Sequence, residues 1–313
     1  MPTLEERFQG CLLGLAVGDA LGAFFEGQSP ESIQSRFPTA RALVENPPRD
    51  EIWYTDDTQM MIGVAETLVA HGQIVEEELC RAFVSNYVPS RGYGRGTRRV
   101  IEAMEQGADY RRVASTHFRG GSYGNGAAMR VAPVGLLFRD DENEVRRQAR
   151  ASASPTHTHP LGIEGAQLLA VAVAQASRAD SIDRRDFLSQ LLEECDSSEY
   201  RAKLKTAFGA ETTEHLAALG NGIEATESVP TAVACFALTP DSYPGVIGNA
   251  ILLGGDTDTI AAMGGALAGA FGGVAAIPER LLAMLEDQGK GRSYIRQLAT
   301  RLREVHDACP PKG

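Results

Sequence analysis

Two acidic clusters in this 313-residue chain each stand directly before an apolar, helix-like stretch. The first, YTDDT, contains Asp56 and Asp57 after Thr55, and the second, GGDTDT, contains Asp256 and Asp258. Helix capping is one interpretation, because Thr and Asp at a helix N-terminus accept hydrogen bonds from unpaired backbone N–H groups. A metal centre is the other, because four carboxylates brought together repel one another unless a cation lies between them.

The repetition of this pattern favours the metal centre. Oxygen ligands alone suit Mg²⁺ or Mn²⁺ better than zinc, and four or five carboxylates could hold a pair of ions about 3.5–4 Å apart. Glu26, in GDALGAFFEG, is a candidate fifth carboxylate, although a lone glutamate is more often a surface residue. Asp19, in the same stretch, is expected to bond locally or to another helix.

The segment GGSYGNGAAMR, residues 120–130, predicts either an anion-binding loop or an ordinary turn before a helix. Its four glycines within seven residues allow backbone N–H groups to approach a phosphate closely. Ser122 adds a hydroxyl, and Tyr123 adds a ring on which a base could stack. The lysine of a P-loop is absent, and RGYGRG at residues 91–96 is a weaker example of the same kind of loop.

His157 and His159, in SPTHTHPLG, are expected to bond a phosphate or a sugar hydroxyl rather than a metal, since the acidic clusters already supply oxygen ligands. Other hydrolase classes fit poorly. The sequence has no cysteine in a Gly-rich context and no GxGxxG after a strand.

Apolar spacing along the chain is mostly helical. It predicts a first helix containing Leu4 to Leu15 and further helices at 60–70, 76–87, 98–105, 162–176, 185–194 and 294–306. Two Asn-Gly dipeptides, at 125–126 and 221–222, lack the alternating flanks of a β-hairpin. No Pro- or Ser-rich linker divides the chain. We therefore expect an all-α protein in which residues 1–313 form one domain.

No charged residue occurs between Thr259 and Pro278. A stretch of this length fits a membrane span, yet its Ala- and Gly-rich composition favours a buried helix. Gly265, Gly269 and Gly273 recur at every fourth position and predict a small-residue face for close helix packing.

The net charge of −11 disfavours binding to nucleic acid or to an anionic membrane. Five scattered cysteines without a CxxC motif indicate the reduced thiols of a cytoplasmic protein. The N-terminal stretch MPTLEERFQG has neither the basic region nor the apolar run of a signal peptide.

The chain also contains, in a characteristic order and spacing, the motifs GDALGAFFEG, YTDDT, RGYGRG, GGSYGNGAAMR, PTHTHPLG, GNGIEATESVPTA and LLGGDTDTIAAMGGALAGA. Over about residues 5–285 it resembles the ADP-ribosylglycohydrolases, the family that includes the dinitrogenase reductase-activating glycohydrolase. The RGYG and GSYGNG motifs favour the ADP-ribosyl-serine hydrolase subgroup over the arginine-specific enzymes.

The resemblance implies a compact orthogonal helical bundle with a binuclear Mg²⁺ centre. One ion would be held by Thr55, Asp56, Asp57 and Asp258, and the other by Glu26, Asp256, Asp258 and Thr259. The resemblance makes Glu26, on a mobile loop, and the pair Asp56 and Asp57 the catalytic acids. The residues implied to bind ADP-ribose are Gly94, Phe118, Gly121, Ser122, Tyr123, Gly124, Asn125, His157 and Ile223, with Phe118 and Tyr123 stacking on adenine and His157 contacting phosphate.

The implied activity is the Mg²⁺-dependent release of ADP-ribose from ADP-ribosyl-serine on proteins, with poly(ADP-ribose) and O-acetyl-ADP-ribose as further candidate substrates. The expected enzyme is a cytoplasmic monomer that binds neither nucleic acid nor membranes. Two alternatives stay open: an arginine-specific ADP-ribosyl hydrolase, and a non-catalytic module that only binds ADP-ribose.

Overall fold

Helices make up the regular structure of the residues that this computed structural model describes, 1–117 and 120–308. The first half of the chain contains α1 (Leu4–Gly22), α2 (Pro30–Gln34), α3 (Ala40–Glu45), α4 (Asp56–His71), α5 (Glu76–Asn86), α6 (Arg95–Glu105), α7 (Tyr110–His117), α8 (Ala132–Leu137) and α9 (Glu142–Ala153). The second half contains α10 (Pro160–Arg178), α11 (Arg184–Glu193), α12 (Ser198–Gly209), α13 (Thr213–Leu216), α14 (Ala225–Leu238), α15 (Tyr243–Leu252), α16 (Thr257–Gly272), α17 (Glu279–Met284) and α18 (Arg292–Ala308). Strand pairing within the described ranges is limited to two isolated bridges, Ile52–Leu285 and Gly124–Glu224, so the all-α prediction is confirmed.

The helices predicted from apolar spacing are present, and most of them begin earlier than predicted. α4 begins at Asp56 rather than at residue 60, because the Thr55 side chain caps the helix by accepting the N–H of Asp57. α10 begins at Pro160, whose fixed φ suits the first turn of a helix. Apolar periodicity marks only the buried part of a helix and therefore misses a polar first turn.

α1 and α16 pack against each other backbone to backbone. A Cβ atom on Gly10 would lie 2.4 Å from the carbonyl oxygen of Gly269, and one on Gly14 would lie 2.4 Å from that of Gly265. The small-residue face predicted from the sequence is therefore confirmed for these two positions of α16. Gly273 differs: it follows the helix with a φ of 71°, so it ends α16 in a conformation that glycine adopts without strain.

This antiparallel pair brings the two ends that carry acidic residues together. A Cβ atom on Gly22, the last residue of α1, would lie 2.5 Å from the carbonyl oxygen of Thr257, the first residue of α16. α16 is buried from Thr257 to Phe271, so its first turn lies inside the protein. The chain leaving α1 therefore passes directly beside Asp256.

None of the described helices is long and apolar enough to cross a membrane. Four of the cysteines, Cys11, Cys80, Cys195 and Cys235, are buried free thiols, and Cys309 lies outside the described residues.

Candidate metal and ligand-binding site

A cavity of about 550 Å³ opens where the first turns of α4 and α16 face each other. This volume lies in the range of small-molecule sites. Both acidic clusters line the cavity. The loop after α1, the RGYGRG segment at residues 91–96 and the Gly-rich segment at residues 120–130 line it as well. Its acidic and hydroxyl lining is formed by Glu26, Asp56, Asp57, Asp256, Asp258 and Thr259.

The second acidic cluster is positioned by two glycines in the left-handed region. Gly254 and Gly255 have φ values of 70° and 75°, which turn the chain sharply before Asp256. Gly255 exchanges backbone hydrogen bonds with the loop after α1: its carbonyl accepts the N–H of Gly27 at 2.8 Å, and its N–H reaches the carbonyl of Gln28 at 3.1 Å. These bonds hold Glu26 beside the start of α16.

Three carboxylates meet at this point. Oxygen atoms of Glu26, Asp256 and Asp258 all lie within 4.8 Å of one another. Glu26 is exposed at the cavity mouth, whereas Asp256 and Asp258 are buried. Thr259 is also buried, and its backbone N–H donates to Asp258 Oδ1 at 2.8 Å.

The first acidic cluster is held by Asp19, a fully buried carboxylate on α1. Asp19 accepts hydrogen bonds from the backbone and hydroxyl of both Thr55 and Thr58, at 2.5 to 3.0 Å. Bonding to another helix is one of the two alternatives that the sequence left open for Asp19. These bonds fix the first turn of α4, from which Asp56 and Asp57 line the cavity.

Thr55 itself is not among the residues that line the cavity; its hydroxyl contacts Asp19 at 2.7 Å and Asp57 Oδ2 at 3.0 Å. Among the described residues, only Glu26, Asp256 and Asp258 form a group of three ligand atoms within 4.8 Å of one another. Asp56 and Asp57 do not belong to such a group. The structure thus brings both clusters to one cavity but gathers only the second into a close triad.

Helix capping does not account for the positions of the acids. Asp256 occupies the N-cap position of α16, yet its side chain makes no capping hydrogen bond. It accepts a hydrogen bond from the side-chain amide of Asn125 instead. At α4 the cap is Thr55, and neither Asp56 nor Asp57 takes that role.

These carboxylates have raised pKa values, and burial is the largest cause for each of them. Burial, followed by repulsion from Asp19, raises the pKa of Asp56 to about 7. Burial and neighbouring carboxylates raise the pKa of Asp57 and of Asp258 well above the usual range. The pKa of Glu26 is raised by burial and then by the charge of Asp256. The cluster therefore needs protons or cations to be stable at neutral pH.

The donor set fits a hard divalent cation. Asp57 Oδ1 is buried and has no hydrogen-bond partner among the described residues, which leaves a lone pair facing the acidic cavity unused. Carboxylate and hydroxyl oxygens, without a sulfur or imidazole ligand among the acids, are typical of Mg²⁺ and Mn²⁺ sites.

The Gly-rich segment, residues 120–130, forms part of the cavity wall and pairs with the second Asn-Gly segment. The N–H of Asn125 donates to the carbonyl of Ile223 at 2.9 Å, and the N–H of Ala225 donates to that of Tyr123 at 3.0 Å. Sequence reasoning missed this contact, because an isolated bridge between loops leaves no alternating pattern. The predicted residues Gly94, Ser122, Gly124, Asn125, His157 and Ile223 line the cavity.

Two other predicted contact residues, Gly121 and Tyr123, are not part of the cavity lining. The ring of Tyr123 is 45% exposed and lies edge-on to His159, with ring centroids 5.5 Å apart. Phe118 lies outside the described residues.

Several lining residues were not predicted individually. RGYGRG supplies Gly92, Tyr93, Arg95 and Gly96 in addition to Gly94, so this loop contributes more than its weak sequence signal indicated. Further lining residues are Thr97, Val100, Ala114, Gly126, Met129 and Thr156. Among these residues, only Arg95 carried a signal in the sequence, because a cationic side chain beside glycines is a feature of anion-binding loops. The other lining residues are of types that are common in protein cores and turns.

Comparisons with known proteins identify the family to which this chain belongs. The family described as ADP-ribosylglycohydrolase matches residues 1–311. The ADP-ribosylhydrolase ARH3 of Homo sapiens is 36% identical over 318 aligned residues, which cover 87% of this chain and 87% of the relative. An uncharacterized protein of Archaeoglobus fulgidus is 34% identical, with 97% of this chain and 98% of that protein covered.

A solved structure described as an ADP-ribosylglycohydrolase-related protein complex has a similar fold. It superposes with a TM-score of 0.75 at 26% sequence identity, covering 97% of this chain and 99% of that one. The likeness extends over the whole helical arrangement that forms the cavity.

Proposed function

We propose that this chain, which belongs to the ADP-ribosylglycohydrolase family, releases ADP-ribose from O-linked ADP-ribosyl-serine on proteins with the help of bound Mg²⁺. It is a glycosidic-bond hydrolase of the ADP-ribosyl-serine hydrolase subgroup. Poly(ADP-ribose) and O-acetyl-ADP-ribose are further candidate substrates, because they share an ADP-ribose unit attached through oxygen. We also propose a cytoplasmic monomer in which residues 1–313 act as one catalytic domain without binding nucleic acid.

The observation that carries this proposal is the convergence of both acidic clusters and a Gly-rich segment on one cavity. The acidic side suits a cation and the hydroxyls of a ribose. The glycine side lacks bulky side chains, so a diphosphate can approach the backbone closely beside the Ser122 hydroxyl. A ligand that carries both a ribose and a diphosphate matches the two sides.

Two Mg²⁺ ions, or Mn²⁺ in their place, would be held by Glu26, Thr55, Asp56, Asp57, Asp256, Asp258 and Thr259. Bound there, the cations supply Lewis acidity and offset the charge of the carboxylates. The protein's own part is to fix the carboxylates: Asn125 holds Asp256, and the bonds of Asp19 hold the start of α4. Because a cation displaces their protons, these acids stay ionised in the loaded enzyme.

The reaction adds water across the bond between the anomeric carbon and the serine oxygen. A proton leaves the attacking water, that bond breaks, and a proton arrives on the departing serine oxygen. Glu26 or Asp57 is placed to carry this proton, since both line the cavity beside the proposed cations. Ser122, Gly124 and His157 orient the diphosphate.

Side-by-side turnover assays test the proposal. Purified protein with Mg²⁺ is given a serine-ADP-ribosylated peptide, an arginine-ADP-ribosylated peptide, poly(ADP-ribose) and O-acetyl-ADP-ribose, and free ADP-ribose is measured over time. We expect the serine-linked substrate to react fastest and a chelator to stop the reaction. Preference for the arginine-linked peptide would establish the arginine-specific alternative, and binding of ADP-ribose without turnover would establish the binding module.

A further inference from the structure

Arg130 is fully buried and makes no ion pair within residues 1–117 and 120–308. One guanidinium nitrogen, Nη2, donates to the carbonyl of Ser152 at 2.7 Å and to Thr156 Oγ1 at 2.9 Å. The guanidinium carbon lies 4.7 Å from the centroid of the Phe83 ring, and Nε has no hydrogen-bond partner among the described residues. A buried cation without a carboxylate is costly, so its contact with Thr156 needs a reason beyond stability.

Thr156 connects this cation to His157. The Thr156 hydroxyl oxygen lies 2.7 Å from His157 Nδ1. A guanidinium only donates, so the hydroxyl oxygen accepts from Arg130. Since no other acceptor for the single hydroxyl hydrogen is present among the described residues, that hydrogen donates to His157. In this arrangement Nδ1 is an acceptor, and the proton of the neutral ring lies on Nε2.

The imidazole ring is confined against backbone. A Cβ atom on Gly126 would lie 2.9 Å from His157 Cε1 and 3.3 Å from Nε2, and one on Gly162 would lie 3.6 Å from Cδ2. His157 lines the cavity beside Gly124, and no hydrogen-bond partner for Nε2 is present among the described residues. The Nε2–H group is therefore available to a ligand.

The charge state of the ring is consistent with this arrangement. Burial first, and then the charge of Arg130, lower the pKa of His157 to about 3. The ring is neutral at physiological pH, so its tautomer decides whether the cavity receives a donor or an acceptor.

We propose that Arg130 and Thr156 are positioning residues that hold His157 as its Nε2–H tautomer and so give the cavity a fixed donor for a phosphate oxygen. The ligand class, a nucleoside diphosphate sugar, rests on the proposed function. The tautomer does not depend on it. Arg130 and Thr156 act through the ring.

Nitrogen-15 NMR of histidine-labelled, full-length protein reads the tautomer directly, with the His157 signal assigned by its loss in His157→Gln. We expect wild type and Thr156→Ser to carry the proton on Nε2. Thr156→Val keeps the side-chain shape but removes the hydroxyl, so we expect a mixture of tautomers. Wild type with the proton on Nδ1, or with a charged ring at neutral pH, would overturn the proposal, and this result needs no variant to fold.

Calorimetric titration with ADP-ribose supplies the second measurement. Thr156→Val is expected to bind about tenfold more weakly, which is the size of one lost hydrogen bond, while Thr156→Ser stays close to wild type. A Thr156→Val protein with unchanged tautomer and unchanged affinity would refute the positioning role. If neither wild type nor any variant binds ADP-ribose, the proposed function fails, while the NMR result still decides the tautomer of His157 and the role of Thr156.

Discussion

The carboxylate of Asp19, on α1, accepts both the backbone N–H and the hydroxyl of Thr55, the residue that caps α4, at 3.0 and 2.7 Å. A second pair of bonds, from Thr58, reaches the same carboxylate. Asp19 thus supports the helix end that presents Asp56 and Asp57, although it does not line the cavity.

Asp19→Asn is expected to weaken Mg²⁺ binding by about tenfold, as for other partners that orient metal ligands. An amide has one acceptor oxygen where the carboxylate has two, and its NH₂ group would face the donors of Thr55 and Thr58. Calorimetric titration of the metal-free protein with Mg²⁺ measures the effect. Asp141→Asn, at the exposed N-cap of α9, is the control for loss of charge at a helix start and should leave the affinity unchanged. Equal affinity in Asp19→Asn and wild type would show that the first turn of α4 does not need this support.

Asp258→Asn is expected to lower turnover of the serine-linked substrate by more than about a hundredfold, since direct metal ligands matter more than the residues that orient them. Asp186, exposed in the first turn of α11, is the matched control, and Asp186→Asn should be fully active. Chelator-treated wild type should show the same loss and recover with Mg²⁺. Full activity of Asp258→Asn, or of wild type in chelator, would contradict a metal centre at this cavity.

The metal-free protein is expected to lose stability as the pH rises from 7 to about 8. The pKa of Asp56 is raised to about 7 in the folded state, and the pKa values of Asp57 and Asp258 are raised well above the usual range. At pH 7 the folded protein therefore still holds protons that the unfolded chain has released, and their ionisation destabilises the fold. His157 has a lowered pKa in the folded state, so the unfolded chain binds more protons there and stability rises with pH. This opposite effect is confined to pH values below about 6.5, the pKa of an unfolded histidine, and the stability measurements therefore start at pH 7.

Thermal unfolding in the presence of a chelator measures this pH dependence. We expect a lower Tm at the higher pH, a smaller decrease in Asp56→Asn, and recovery on adding Mg²⁺, because a cation stabilises the ionised form. A metal-free Tm that is constant or rises over this range would be incompatible with carboxylates crowded as the structure has them.

The parts of the site that the sequence predicted well are those in which local residues carry the signal. Asp56, Asp57, Asp256 and Asp258 are adjacent in sequence to the helix starts that orient them, so their clustering was visible from spacing alone. Glu26 was a weaker candidate, because its proximity to Asp256 depends on backbone bonds between Gly27 and Gly255, far apart in the chain.

Long-range contacts account for what the sequence could not predict. The pairing of the Gly-rich segment with Ile223 joins two loops about a hundred residues apart, and no local pattern requires it. The line from Arg130 through Thr156 to His157 depends on how α9 and the following turn pack against residue 130. For Tyr123 the structure shows the ring edge-on to His159, and its stacking on a ligand stays a prediction.

The close packing of α1 on α16 makes a prediction for stability. Gly269→Ala would place a Cβ atom 1.9 Å from the carbonyl oxygen of Gly10, so the helices must separate, and such overpacking costs about 1–3 kcal/mol or more. Gly209→Ala, at the last residue of α12, is the matched control, because a Cβ atom there meets nothing within 4 Å. Denaturant unfolding should show a lower free energy of unfolding for Gly269→Ala and no loss for Gly209→Ala.

Because α16 carries Asp258 in its first turn, Gly269→Ala should also weaken Mg²⁺ binding, although residue 269 lies three helical turns from the cavity. Weakened stability with unchanged Mg²⁺ affinity would mean that the first turn of α16 is held by its loop contacts alone.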